Sequence, residues 1–104
     1  PVSAVSVDRT AGAAPNGVTA VRTAAGVKVL WNAVPDSAVR GYRVYRRLPG
    51  EKRATLVGEV SVPGTLFDDQ SPPQAEKWFY SVTSIDDARP ANESGPSTEV
   101  EVRN

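Results

Sequence analysis

The chain has no cysteine and no histidine. Without cysteine no disulfide staples the fold and no thiolate serves as nucleophile or metal ligand. The redox compartment stays open, since a cysteine-free domain suits an exported setting as well as a cytosolic one. Without histidine as well, Ser-His-Asp and Cys-His arrangements are impossible, and so are the common zinc sites. Long apolar runs are missing too. No stretch approaches the roughly 20 residues that cross a bilayer as a helix, and no signal-peptide pattern occurs, so direct membrane insertion is not expected. Net charge is zero, with 12 basic residues balancing 12 acidic ones. A domain that grips a polyanion carries a basic excess, so nucleic acid is not expected as a partner. The sequence opens on Pro1 rather than Met, and it reads as a piece of a longer protein.

What is present is β-pattern. Trp78-Phe79-Tyr80-Ser81-Val82-Thr83-Ser84-Ile85-Asp86 is rich in aromatic and β-branched residues and contains neither Gly nor Pro. That is the pattern of a central strand with one strongly buried face, here Trp78, Tyr80 and Val82. Other strands are expected to cover that face. Val18 to Arg22 is a short first strand. Val27 to Asn32 is a second, with Val27, Val29 and Trp31 inward. Arg40 to Arg47 is a third, with Tyr42 and Val44 inward and Arg43, Tyr45 and Arg47 outward. Ala54 to Val60 reads as an edge strand in which Gly58 marks a bulge or an end. Thr65 to Asp68 is short. Thr98 to Arg103 closes the series, with Val100 and Val102 inward. Pro- and Gly-containing turns separate these segments, and no helical period is sustained. Seven short strands at regular spacing predict an all-β sandwich in one domain.

Residues 1–8 and 96–103 share one pattern: Pro, three residues, Val, one residue, Val, then a charged residue. The offset is about one sandwich domain. Residues 1–14 are therefore read as the last strand of a preceding repeat plus a small-residue linker, and 15–104 as the domain itself.

Several pieces together resemble fibronectin type III domains, most closely those of bacterial exported and multidomain proteins. They are Val27-x-Val29-x-Trp31, Gly41-Tyr42-Arg43-Val44-Tyr45-Arg46, Phe67-x-Asp69, Trp78-Phe79-Tyr80-Ser81-Val82-x-x-Ile85-Asp86 and Asn92-Glu93-Ser94-x-Pro96-Ser97. The resemblance implies a seven-stranded Ig-like sandwich with sheets A-B-E and C′-C-F-G. It places A at 18–22, B at 26–32, C at 40–47, C′ at 54–60, E at 65–68, F at 77–86 and G at 97–103. It departs from the family at two places. Trp78 stands where a corner tyrosine is usual; an indole N–H donates but cannot accept, so the corner is either rebuilt or loses its bond. Pro72-Pro73-Gln74-Ala75 replaces the usual turn before strand F. No Arg-Gly-Asp occurs, so an integrin-binding role does not carry over.

Little here carries chemistry. Asp68-Asp69 and Asp86-Asp87 are the only paired carboxylates, and neighbours in a strand point to opposite faces, which defeats joint action on one substrate. Asp36, Asp86, Asp87, Asn92 and Glu93 fall in loops expected at one end of the sandwich, but their spacing matches no calcium loop. No catalytic residue, cofactor or metal ligand is assigned, and an enzyme is not expected. Basic residues crowd into 40–53 and acidic ones into 68–101, a division that reads either as a basic binding patch or as cross-strand ion pairing. Tyr45 and Phe79 point outward on adjacent strands. With Arg43 and Arg47 they form a candidate partner patch, or else a cross-strand aromatic pair.

The expected role is a non-catalytic spacer or interaction module of a larger exported bacterial protein, secreted or at the cell surface. It would position neighbouring domains of the same chain and contact protein or polysaccharide. The alternative is a carbohydrate-binding accessory module of a secreted polysaccharide-degrading enzyme. That role calls for a row of exposed aromatics, and only Tyr45 and Phe79 qualify.

Overall fold

The computed structural model describes residues 13–88 and 90–102. The expected repeat strand at 1–8 and most of the linker lie outside them. Seven strands occur among the described residues: β1 (Thr19–Thr23), β2 (Gly26–Leu30), β3 (Val39–Arg47), β4 (Thr55–Ser61), β5 (Leu66–Asp69), β6 (Phe79–Asp86) and β7 (Val100–Glu101). They form two antiparallel sheets, β1-β2-β5 and β4-β3-β6-β7. These are the expected A-B-E and C′-C-F-G sheets.

Alternation explains the core. Val27, Val29, Tyr42, Val44, Trp78, Tyr80 and Val82 are all buried between the sheets, each below 2% exposed. Burying such a side chain contributes roughly 1.5–3 kcal/mol. Trp31 packs edge-on against Tyr42, with ring centroids 5.4 Å apart, and the Val34 N–H donates to the Tyr42 hydroxyl at 3.0 Å. One side of the sandwich is closed by Phe67 of β5, whose ring lies on Gly58 of β4. A β-carbon at Gly58 would sit 2.2 Å from that ring. The expected irregularity at Gly58 is a register slip that leaves Val57 unpaired beside it.

Three expectations need correction. First, β6 is covered on both faces. Ser81, Thr83 and Ile85 point outward yet are 3%, 4% and 7% exposed, because long side chains from β3 and from Glu93 fold over the small residues. Second, among the described residues β7 is a ladder of two that begins at Val100 rather than at Thr98. Pro96 has no N–H to donate to a ladder, and the N–H groups of β6 here find hydroxyl oxygens in place of strand carbonyls. The Ser84 N–H donates to Ser94 Oγ and the Val82 N–H to Ser97 Oγ, both at 2.9 Å. The Ser94 and Ser97 N–H groups return bonds to the Ser84 and Val82 carbonyls. Third, β2 stops at Leu30, although the Trp31 N–H still reaches the Thr65 carbonyl at 3.2 Å.

The corner is rebuilt. Trp78 is fully buried, with the Arg22 guanidinium 5.0 Å above its ring. Its indole N–H finds no hydrogen-bond partner, although it bears on the Tyr80 hydroxyl closely enough to favour that group's ionised form. Tyr80 makes the link to β5 instead, donating to Asp69 Oδ2 at 2.5 Å.

Candidate functional site on the outer face of the four-stranded sheet

Register decides which outward side chains of β3 and β6 meet. Arg43 lies opposite Thr83, Tyr45 opposite Ser81 and Arg47 opposite Phe79. Tyr45 and Phe79 are thus on a diagonal, and no ring contact joins them among the described residues. Neither the expected aromatic pair nor a coplanar aromatic row forms. Phe79 is covered by cations: the Arg47 guanidinium lies 5.1 Å from its ring centroid and Lys77 Nζ 5.7 Å.

The basic residues are met by acids across the strands. Arg47 forms a two-pronged pair with Glu99, Nε to Oε2 at 2.6 Å and Nη2 to Oε1 at 2.8 Å. Its Nη1 donates to the Glu51 carbonyl at 3.0 Å. This planar fork is the stronger kind of ion pair, and Arg47 holds the Glu99 carboxyl below its ordinary value. Arg43 donates to Glu93 Oε1 at 3.1 Å and lies 3.8 Å from Glu59. The charge division seen in the sequence is thus used within the sheet.

Glu93, expected as a loop acid, is the hub. It is carried to the sheet by an isolated bridge to Ile85. One oxygen accepts from Thr83 Oγ1 at 2.6 Å and, in a very short bond, from the Tyr45 hydroxyl. Burial pushes its carboxyl up, but the bonds from Thr83, Tyr45 and Arg43 outweigh this and hold it below the ordinary value. Burial, then Glu93, push the Tyr45 phenol above its ordinary value. Beside this cluster runs a groove of about 330 Å³. Tyr45, Arg53, Ser81, Thr83, Glu93 and Pro96 are among the residues that line it. Arg53 forms no ion pair among the described residues.

The other candidate acids do not converge. Asp36 Oδ1 accepts from the Ala38 N–H at 2.9 Å. Asp86 holds its own loop, accepting from the Ala88 and Asn92 N–H groups and from Asn92 Nδ2. Asp87 pairs with Arg40 at 3.5 Å. No group of three or more acids capable of holding a metal occurs among the described residues. Asp68 is exposed while Asp69 is buried, the opposite facing expected of strand neighbours. Asp69 serves the core: besides Tyr80 it accepts from Arg46 Nη1 at 2.7 Å and from the Ser71 N–H at 3.1 Å.

No family model and no curated protein matches the chain. Solved structures do. A Fn3-like protein from Clostridium thermocellum is similar at 25% identity, over 90% of this chain and 94% of that one, with a TM-score of 0.72. The chicken CNTN1 FN1-FN3 domains are 20% identical, covering 90% of this chain and 33% of that one, at 0.71. The Clostridium perfringens spore cortex lytic enzyme SleM is 21% identical, covering 88% of this chain and 28% of that one, at 0.69.

Proposed function

Because the chain is a fibronectin type III domain, we propose that it is a non-catalytic module of a larger exported bacterial protein, positioning neighbouring domains and contacting a partner through the outer face of its four-stranded sheet. The observation that carries this reading is that the same fold forms only part of the matched spore cortex lytic enzyme chain, the arrangement expected of an accessory module. The side chains support it. The carboxylates of the outer sheet face are engaged by arginine, hydroxyl or lysine partners, which leaves no poised acid–base pair there.

The contact surface in this proposal is Tyr45 with Arg43, Arg47 and Phe79, extended by the groove to Arg53. The groove also favours a second reading, an accessory module that holds polysaccharide for a degrading enzyme, because its lining combines one aromatic ring, Tyr45, with polar side chains, a mixture that suits a sugar ring. The experiment is retention of the 104-residue chain on insoluble glycans beside capture on candidate protein partners. Retention on glycan that Tyr45→Ala abolishes, with the melting temperature kept, selects the second reading. Capture by a protein partner that is lost in Tyr45→Ala and Arg53→Ala selects the first. If these substitutions change only stability, the outer face is not a contact surface.

A further inference from the structure

The first described residues cross the end of the sandwich from one sheet to the other. The Ala13 carbonyl accepts from Ser84 Oγ at 2.8 Å, which ties the backbone to β6. Pro15 is buried two residues later. Asn16 then reaches the other sheet. Its carbonyl accepts from the Asn32 N–H at 2.9 Å, and its Oδ1 accepts from Asn32 Nδ2 at 2.9 Å. Gly17 follows with φ +66°, and a β-carbon there would lie 2.4 Å from Asn32 Nδ2. Only glycine fits both that conformation and that approach. Residues 13–17 are therefore anchored at both sheets.

Two exposed leucines sit beside this crossing. Leu30 ends β2, two residues before Asn32, and its cross-strand partner is Leu66. They are 38% and 41% exposed. Val62, on the turn between β4 and β5, is 36% exposed. A contiguous apolar pair on an otherwise alternating sheet is a surface that gains from being covered.

We propose that this end of the sandwich is a seat for the preceding module, which docks on Leu30 and Leu66 and is held at a fixed angle by the clamp at Ala13–Gly17. The inference rests on the tandem reading, in which Pro1–Asp8 is the last strand of that module. Chain length commits it to this occupant. Five residue steps separate Asp8 from Ala13, a reach of at most about 18 Å. A module tied that closely to a hydrogen-bonded anchor stays at this end at an effective concentration on the order of millimolar or more. Covering two leucines then needs only a modest gain to fix the angle.

The test is nuclear magnetic resonance on the 104-residue chain and on the longer stretch of the parent that includes the residues before it. In the 104-residue chain, heteronuclear NOE values for Ala13–Gly17 should match those of β6 and fall in Ser84→Ala and in Asn32→Ala. In the longer stretch, the Leu30 and Leu66 methyls should lose most of their relaxation enhancement by a soluble paramagnetic agent. Both modules should tumble with one correlation time, and Leu66→Glu should split it into two. Leu30→Glu serves as the second variant, with thermal melts confirming that each remains folded. Independent tumbling of two folded modules overturns the seat and leaves the tandem reading standing. A parent with no folded module before residue 9 overturns both. Leucines that become covered only as the 104-residue chain is concentrated assign the surface to a second copy and also overturn the proposal.

Discussion

Replacing Tyr80 by Phe removes one hydroxyl from a buried side-chain contact between the two sheets and leaves the ring in place. Tyr80 is fully buried and Asp69 is 5% exposed. The lost bond is charge-assisted and 2.5 Å long, so Tyr80→Phe should cost roughly 1.5–3 kcal/mol. No cavity forms, and Asp69 keeps Arg46 and the Ser71 N–H. Asp69→Ala does a different injury. It strands the Tyr80 hydroxyl and removes the counter-charge of Arg46, whose side chain is only 23% exposed, at a cost of about 3–5 kcal/mol. Urea unfolding at neutral pH measures both, the midpoint shift reporting stability while the slope stays constant. In a thermal melt each 1 kcal/mol should appear as about 4–8 °C. Acid adds a second arm. Burial pushes the Asp69 carboxyl up, but the bonds from Tyr80, Arg46 and Ser71 outweigh it and set it below its ordinary value. A carboxyl depressed in the folded state contributes stability that is present above the unfolded value, about 3.9, and is lost as pH falls through the folded one. Asp69→Asn should lack that part of the acid slope. A Tyr80→Phe protein within about 0.5 kcal/mol of the parent, or one as damaged as Asp69→Ala, would refute the claim that this bond replaces the corner.

Further outcomes follow from other contacts. Gly58→Ala should destabilise by about 1–3 kcal/mol through overpacking against Phe67, and adding Phe67→Leu should recover part of the melting temperature; no recovery would mean that the ring is not the obstacle. Ser97→Ala strands the Val82 N–H, a loss of roughly 1–3 kcal/mol. Hydrogen exchange should quicken at Val82, while Ser84, held by Ser94, is spared. Glu93→Gln removes the charge beside Tyr45. Since burial and then Glu93 raise that phenol, ultraviolet titration should show it ionising at lower pH than in the parent. An unmoved titration would remove Glu93 from its role as hub.

Some of the site was readable in the residues and some was not. The outward set Arg43, Tyr45 and Arg47 followed from alternation along β3, which is local. That Arg47 rather than Tyr45 lies opposite Phe79 is a matter of register, and a two-residue shift, which keeps the same face, separates an aromatic pair from a cation over a ring. Glu93 looked like a loop acid because its neighbours Pro90 and Gly95 are turn residues. Its approach to Arg43 and Tyr45 depends on how the chain folds back along β6. Asn92-Glu93-Ser94 was the available signal, since Ser94 and Ser97 have hydroxyls that can stand in for carbonyls where Pro96 interrupts a ladder. Asp69 was expected to face away from Asp68, as it does, but nothing local named its partners, Arg46 on β3 and Tyr80 on β6.

By itself the sequence determined the class of fold, the seven strands, the inward set from Val27 to Val82 and the lack of histidine or cysteine chemistry. These follow from a period of two and from composition, which need no knowledge of distant partners. Only the tertiary structure decided that β6 is covered on both faces, that Tyr80 and Asp69 rebuild the corner left by Trp78, and that Ala13–Gly17 bridges the two sheets. Each of those depends on side chains far apart in sequence meeting in one low-dielectric place. There, a buried donor or acceptor must find whichever partner the packing brings within reach.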